Sequence, residues 1–283
     1  MSTTVTVTAA QVNELRNKTG AGLMDCKKAL TEANGDLNAA IDYLRKKGAK
    51  VAELRAGRAA GEGVVIAKTN TDNKSGVVVY VSCETDFVAK NEDFVKFSTS
   101  IADLALAKSP KSLDELLALD LGGASVKAQL QEKVSAIGEL ITVSAYETVA
   151  GEGVVAYNHM GNKIGVLVAV NKPLNDAISA VAKDVAMQIA AMNPIAVDAS
   201  GVSADVLERE KAVAREKAAA AGKPENILDK IAEGAANTYV KENTLLTQAF
   251  VKDGSKTVQQ VLGAAESGLT VTSFKRVEKG AGK

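Results

Sequence analysis

Histidine occurs once in this 283-residue chain, at His159, and tryptophan does not occur at all. A single imidazole excludes a histidine-rich metal site and leaves only one histidine base for any serine or cysteine nucleophile. Cysteine is nearly as scarce. Cys26 and Cys83 stand in different segments, form no Cys-x-x-Cys pair, and read as reduced, small core residues. No paired acidic motif stands out to support an enzyme working through carboxylates. Charge of one sign is lacking too: the 34 basic and 34 acidic residues cancel, which argues against a chain held mainly by nucleic-acid phosphates and makes a protein the expected partner. No apolar run approaches the roughly 18 residues that a membrane span requires, and Met1-Ser2-Thr3-Thr4 lacks the basic start and apolar core of a signal peptide. A cytoplasmic chain is expected, with no membrane, no direct nucleic-acid partner, no metal and no cofactor.

What the chain does contain exceeds one typical domain. Val12, Leu15 and Arg16 open a helix that stops at Thr19-Gly20, where glycine suits a left-handed cap. A second helix carries Leu23 to Leu30, and Asp36 can cap a third bearing Leu37, Ala40, Ile41 and Leu44 before Gly48. Leu23 and Met24 either plug this small bundle or present a docking surface. Lys50 to Gly63 reads as a helical or flexible linker.

An internal repeat follows. Gly63-Val64-Val65 and Gly153-Val154-Val155 each begin a hairpin, with second strands at Gly76 to Val81 and Ile164 to Val170. Helices follow each hairpin, at Phe94 to Ala107 and Ala177 to Met192, and Ile141 to Glu147 and Val271 to Val277 alternate as further strands. Leu113 to Leu119 and Val126 to Ile137 read as helices, the latter ending at Gly138. Beyond Pro194, Ser203 can cap a charged, alanine-rich helix to Ala221, and a second runs from Ile227 toward Glu242, so a protruding antiparallel hairpin is expected. Ser255 can cap a last helix with Val258, Val261 and Leu262. The expected class is α+β: a three-helix module over 1–50, a linker over 51–62, a core subdomain over 63–140, a second over 141–200 and 245–283, and a helical-hairpin insertion over 201–244, each subdomain with a three-stranded antiparallel sheet.

Cys83-Glu84-Thr85-Asp86-Phe87-Val88-Ala89-Lys90-Asn91 turns the first strand run into a helix. Thr85 or Asp86 can serve as N-cap. Phe87 either folds inward as a hydrophobic staple or projects as an anchor for a partner. The second repeat carries Asn171-Lys172-Pro173-Leu174 at the corresponding place, so the fold alone does not demand an Asp-Phe pair there. His159 lies near the second hairpin's turn, making either a local hydrogen bond or a contact.

Leu15 to Leu30, with its Thr19-Gly20-Ala21-Gly22-Leu23-Met24-Asp25-Cys26 centre, Thr85-Asp86-Phe87-Val88-Ala89-Lys90, and His159 with Ile164-Gly165-Val166-Leu167-Val168, resemble bacterial elongation factor Ts, the guanine-nucleotide exchange factor family of elongation factor Tu. The resemblance covers essentially the whole chain. It implies a ubiquitin-associated-like (UBA-like) N-terminal module, a two-subdomain core and an inserted antiparallel helical arm, with no chemistry of the protein's own; from its residues the arm is either a solvated projection or a coiled-coil contact surface through which a homodimer could form. It also implies that Thr85, Asp86, Phe87 and Val88 enter the GTPase domain of elongation factor Tu near its magnesium site. Arg16, Leu23, Met24 and Lys27 would dock beside the nucleotide pocket, and Ile137, Gly138, His159 and Val251 would make further contacts. An adaptor that binds proteins without speeding nucleotide release is the competing expectation.

Overall fold

The structure, a computed structural model, describes residues 7–55 and 60–280. Residues 1–6 of the first expected segment, 56–59 of the linker and 281–283 of the last lie outside them. Helices α1 (Ala9–Thr19), α2 (Leu23–Glu32) and α3 (Leu37–Arg55) come first. Thr8 and Gln11 form a capping box, which starts α1 three residues earlier than the apolar pattern suggested. Gly20 closes it at φ 69°. Val12, Leu15, Cys26, Leu30, Ala40 and Leu44 fill the small core between the three helices.

α3 does not stop at Gly48. It continues through the glycine because that residue is where α3 crosses α7 (Val126–Ile137): a Cβ there would lie 2.0 Å from the Gln131 carbonyl oxygen. Arg45 adds an ion pair to Glu132 at 2.6 Å, so the N-terminal helices are joined to the core well before the expected linker.

Strands β1 (Glu62–Thr69), β2 (Ser75–Cys83) and β3 (Thr142–Ala150) form one antiparallel sheet in the order β1-β2-β3. β3 was expected in the second subdomain and belongs to the first, pairing along β2 from Ser75↔Ala150 to Ser82↔Thr142. Between β2 and β3 come α4 (Asp86–Ala89), α5 (Glu92–Lys108), α6 (Leu113–Ala118) and α7. The second sheet, β4 (Gly153–His159), β5 (Ile164–Val170) and β8 (Val271–Glu278), is ordered β4-β5-β8. α8 (Asp176–Met192) and α11 (Val258–Ala265) cover it.

The central strands β2 and β5 are buried on both faces, which explains why they are continuous apolar runs. Alternate residues serve different layers: Val77, Val79 and Val81 meet α5 and α7, whereas Val78 and Tyr80 meet Leu167 and Ala169 of the other sheet. Gly165 permits that approach, since a Cβ would fall 2.7 Å from Val65 and 2.8 Å from Val78. The Asn158 side chain ties the free edge of β1 to β4, accepting from the Ala67 N–H at 2.8 Å and donating to its carbonyl at 3.0 Å.

α9 (Ala204–Ala220), capped by Ser203, and α10 (Glu225–Asn243) follow α8 and pack on each other. Lys211 pairs with Glu233 at 3.2 Å and Arg215 with Glu225 and Asp229. β6 (Ala249–Phe250) and β7 (Asp253–Thr257) then form a small hairpin. Ser255 lies inside β7, and Thr257 caps α11 through a capping box with Gln260.

Candidate functional site

At the end of β2 the Thr85 hydroxyl accepts the Val88 N–H at 3.5 Å, and Thr85 itself stays extended (φ −120°, ψ 153°). Thr85 is therefore the cap of α4, and Asp86 is its first helical residue. Asp86 accepts a hydrogen bond from the Lys90 ammonium at 2.6 Å. That bond, and then the Lys90 charge, hold the Asp86 carboxyl below the usual carboxylate range and raise Lys90 in turn. Asn91 accepts the N–H groups of Asp93 and Phe94 and opens α5. The corner is a single helical turn held between two caps.

One turn at about 100° per residue buries one side only. Ala89 occupies that side, and Phe87, two residues earlier, lies on the opposite one with 83% of its surface exposed. The staple alternative is thereby corrected: the first-sheet core is closed by Ala89, Phe94 and Phe97 without Phe87.

Ile137 ends α7 and is 40% exposed, and Gly138 caps the helix at φ 82°. A cleft of about 510 Å³ is lined by Thr85, Phe87, Val88, Lys133, Ile137 and Glu139, with Gly20 of the N-terminal helices on its rim. The corner and the end of α7 are thus brought to one place. On the other side of the corner a cleft of about 480 Å³ is bordered by Asp86, Lys90, Met160, Gly161 and Lys163.

His159 is the last residue of β4, and its Nδ1 lies 2.8 Å from the Tyr157 hydroxyl. The turn itself is Met160-Gly161-Asn162, all at positive φ. The exposed Met160, rather than His159, borders the cleft beside Asp86. Sequence reasoning passed over it, although an apolar residue between His159 and Gly161 in a polar turn is an available signal.

Leu23 and Met24 open α2 at 51% and 73% exposure, and Arg16 and Lys27 are exposed on the same module. The bundle's plug is Ala21 and Cys26, so the core alternative for Leu23 and Met24 is corrected. Val251 lies apart from the corner, in the turn between β6 and β7 against α8, its N–H donating to the Gln188 side chain at 2.7 Å.

Glu139 had no place in the sequence reading. Its carboxylate accepts the Glu84 N–H at 3.1 Å, the Thr85 N–H at 3.0 Å and the Thr85 hydroxyl at 2.6 Å. No local pattern announces it, because its partners lie more than fifty residues earlier in the chain. Among the described residues, no group of three or more His, Cys, Asp or Glu could hold a metal ion, and no helix is long and apolar enough to cross a membrane.

The family described as "Elongation factor TS" matches residues 84–281. This chain belongs to the elongation factor Ts family. Its similarity to individual members extends over nearly all of both chains. It is 50% identical to the elongation factor Ts of Amoebophilus asiaticus over 97% of this chain and 99% of that one. It is 47% identical to that of Christiangramia forsetii over 97% and 99%, and 46% identical to that of Cytophaga hutchinsonii over 96% and 98%. The elongation factor Ts match begins at Glu84 and so takes in the corner, the end of α7, the His159 strand and the Val251 turn. The N-terminal module falls within the longer pairwise similarities.

Proposed function

We propose that the chain binds elongation factor Tu in its GDP form and accelerates GDP release, with Asp86 and Phe87 inserting near the magnesium site of the GTPase domain so that GTP can rebind. The observation that carries this reading is Phe87, a large aromatic left in solvent on a turn whose two ends are capped. A rigid exposed aromatic loses little conformational freedom when it enters a pocket.

The mechanism requires no acid, base or metal from this chain. A GTPase holds GDP partly through a magnesium ion that neutralises the phosphates. A wedge that displaces the elements positioning that ion weakens the nucleotide, and by reciprocity the nucleotide weakens the wedge. Thr85 and Val88 hold the wedge. Ile137 and Gly138 engage the same domain across the shared cleft, and His159 contacts it from the Met160 side. Arg16, Leu23, Met24 and Lys27 dock a UBA-like module beside the nucleotide pocket, and Val251 reaches a separate surface of the partner. The α9–α10 pair acts as a projecting arm and, in a homodimer, as the contact between copies. The setting is the cytoplasm.

Release of labelled GDP from elongation factor Tu, followed by stopped flow, tests the reading. Phe87→Ala should slow release about thirtyfold, since an aromatic anchor contributes on the order of 2 kcal/mol. Its melting temperature should barely move, because an exposed substitution changes stability by only about 0.5 kcal/mol. An adaptor would bind elongation factor Tu and leave release unaccelerated even as the wild type.

A further inference from the structure

Beyond Cys83, the last β2 residue paired with β1, the amides of Glu84 and Thr85 have left the ladder. Both turn to one carboxylate oxygen of Glu139, while the other oxygen receives the Thr85 hydroxyl proton. That hydroxyl, its proton directed at Glu139, keeps its lone pairs for the Val88 N–H. The bond is returned in the opposite direction: Glu84 Oε1 accepts the Leu140 N–H at 2.7 Å. Two glutamates on separate segments each bind the backbone of the other segment.

We propose that Glu139, with Glu84, is a positioning latch that locks the Phe87 corner to the Ile137-Gly138 segment, so that both present to the partner as one preformed surface. The inference rests on the exchange reading above. Three observations carry it. Glu139 directly follows Ile137-Gly138 and lines the same cleft as Thr85, Phe87 and Val88. The bonds go to two backbone N–H groups and the Thr85 hydroxyl of the corner and not to its apolar core, which Ala89, Phe94, Phe97 and Leu130 fill independently. Glu139 also sets the direction of the Thr85 cap, and the cap decides which face of the one-turn helix Phe87 occupies. Bonds from charged acceptors to backbone N–H groups are among the stronger ones in proteins, so the latch suits a part that must not yield when pressed into a partner.

The test uses the full chain as Glu139→Ala, Phe87→Ala and the double variant. Labelled GDP release from elongation factor Tu is titrated for its plateau rate and half-saturating concentration, and hydrogen exchange is followed at the Glu84 and Thr85 amides. Glu139→Ala is expected to lower the plateau by about tenfold or more, the equivalent of one charge-assisted bond. Half-saturation should stay in place, and Glu84 and Thr85 should lose protection while β1 and β2 keep theirs. In the Phe87→Ala background the same change should cost less than about twofold, because both act through one element. Glu139→Gln, which keeps one acceptor oxygen, should recover part of the plateau. A normal plateau for Glu139→Ala beside a slowed Phe87→Ala overturns the latch, and so do effects of the two that simply multiply. Normal plateaus in both single variants overturn the Phe87 wedge and the latch with it, whereas a wild-type chain that leaves release unaccelerated overturns the exchange reading itself. Should Glu139→Ala lose protection throughout the first sheet, a Glu139→Gln variant that stays folded with a wild-type plateau and unprotected Glu84 and Thr85 amides overturns the latch instead.

Discussion

Cys83 stands at the base of the corner, fully buried, its thiol donating to the Thr85 carbonyl at 3.2 Å. Burial, and then the charges of Glu139 and Glu62, push it up to about 12. A group whose folded value is raised contributes stability that is complete below its unfolded value, about 8.5, and is lost as pH rises through the folded one. Stability should therefore fall between roughly pH 8.5 and 12, and Cys83→Ala should flatten that fall by up to about 1.4 kcal/mol per pH unit. Urea unfolding at several pH values in that window measures it. A residual slope should remain, since burial also raises Cys26, Tyr80 and Tyr146. That both cysteines are core residues was legible from composition and neighbours. The exposure of Phe87 was not, because moving the cap from Thr85 to Asp86 turns the helix by about 100° and changes which side chain faces the core.

At the scale of elements, the helices and hairpins were legible from apolar spacing, with boundaries missed where a cap or a neighbour decided them. Ser255 and Thr257 are both plausible caps locally, and pairing of β7 with β6 leaves Thr257 to start α11. Gly48 is the fuller case. A glycine inside a helical pattern reads as a stop when only local propensity is considered, and here it is the point of closest approach between α3 and α7. Gly48→Ala should lower stability by about 1–3 kcal/mol through overpacking, despite the roughly 1 kcal/mol that alanine adds to a helix interior. Gly234 of α10, whose added Cβ would meet nothing within 4 Å, supplies the contrast. Gly234→Ala should raise stability by about 0.5–1 kcal/mol. Thermal melts of the two variants should move in opposite directions, and a shared direction would contradict the account of Gly48.

For the molecule as a whole, the repeat was visible in Gly63-Val64-Val65 and Gly153-Val154-Val155, and so was the α+β class. The partition at residue 141 was not, because an alternating strand states its period and not its partner. β3 could have joined either sheet, and only register with β2 assigns it. Likewise Glu139 lay beyond sequence reasoning because its partners stand more than fifty residues earlier within the same half, and Asn158 because it acts across the junction between the halves. Asn158 carries a consequence for solubility. β1 is an outer strand, and an outer strand with unpaired amides and carbonyls is a template on which another chain can add. The Asn158 amide occupies both the N–H and the carbonyl of Ala67, and the Asn162 carbonyl takes the Val65 N–H at 2.8 Å. The second half of the chain thus blunts the edge of the first, and a ribosome delivers that second half last. Until residues 158 to 162 arrive, the β1 edge, with Val64-Val65-Ile66-Ala67 at its centre, is open to self-association. Asn158→Ala should reopen part of it in the finished protein: light scattering during incubation a few degrees below the melting temperature should rise faster than in the wild type, with the melting temperature itself little changed.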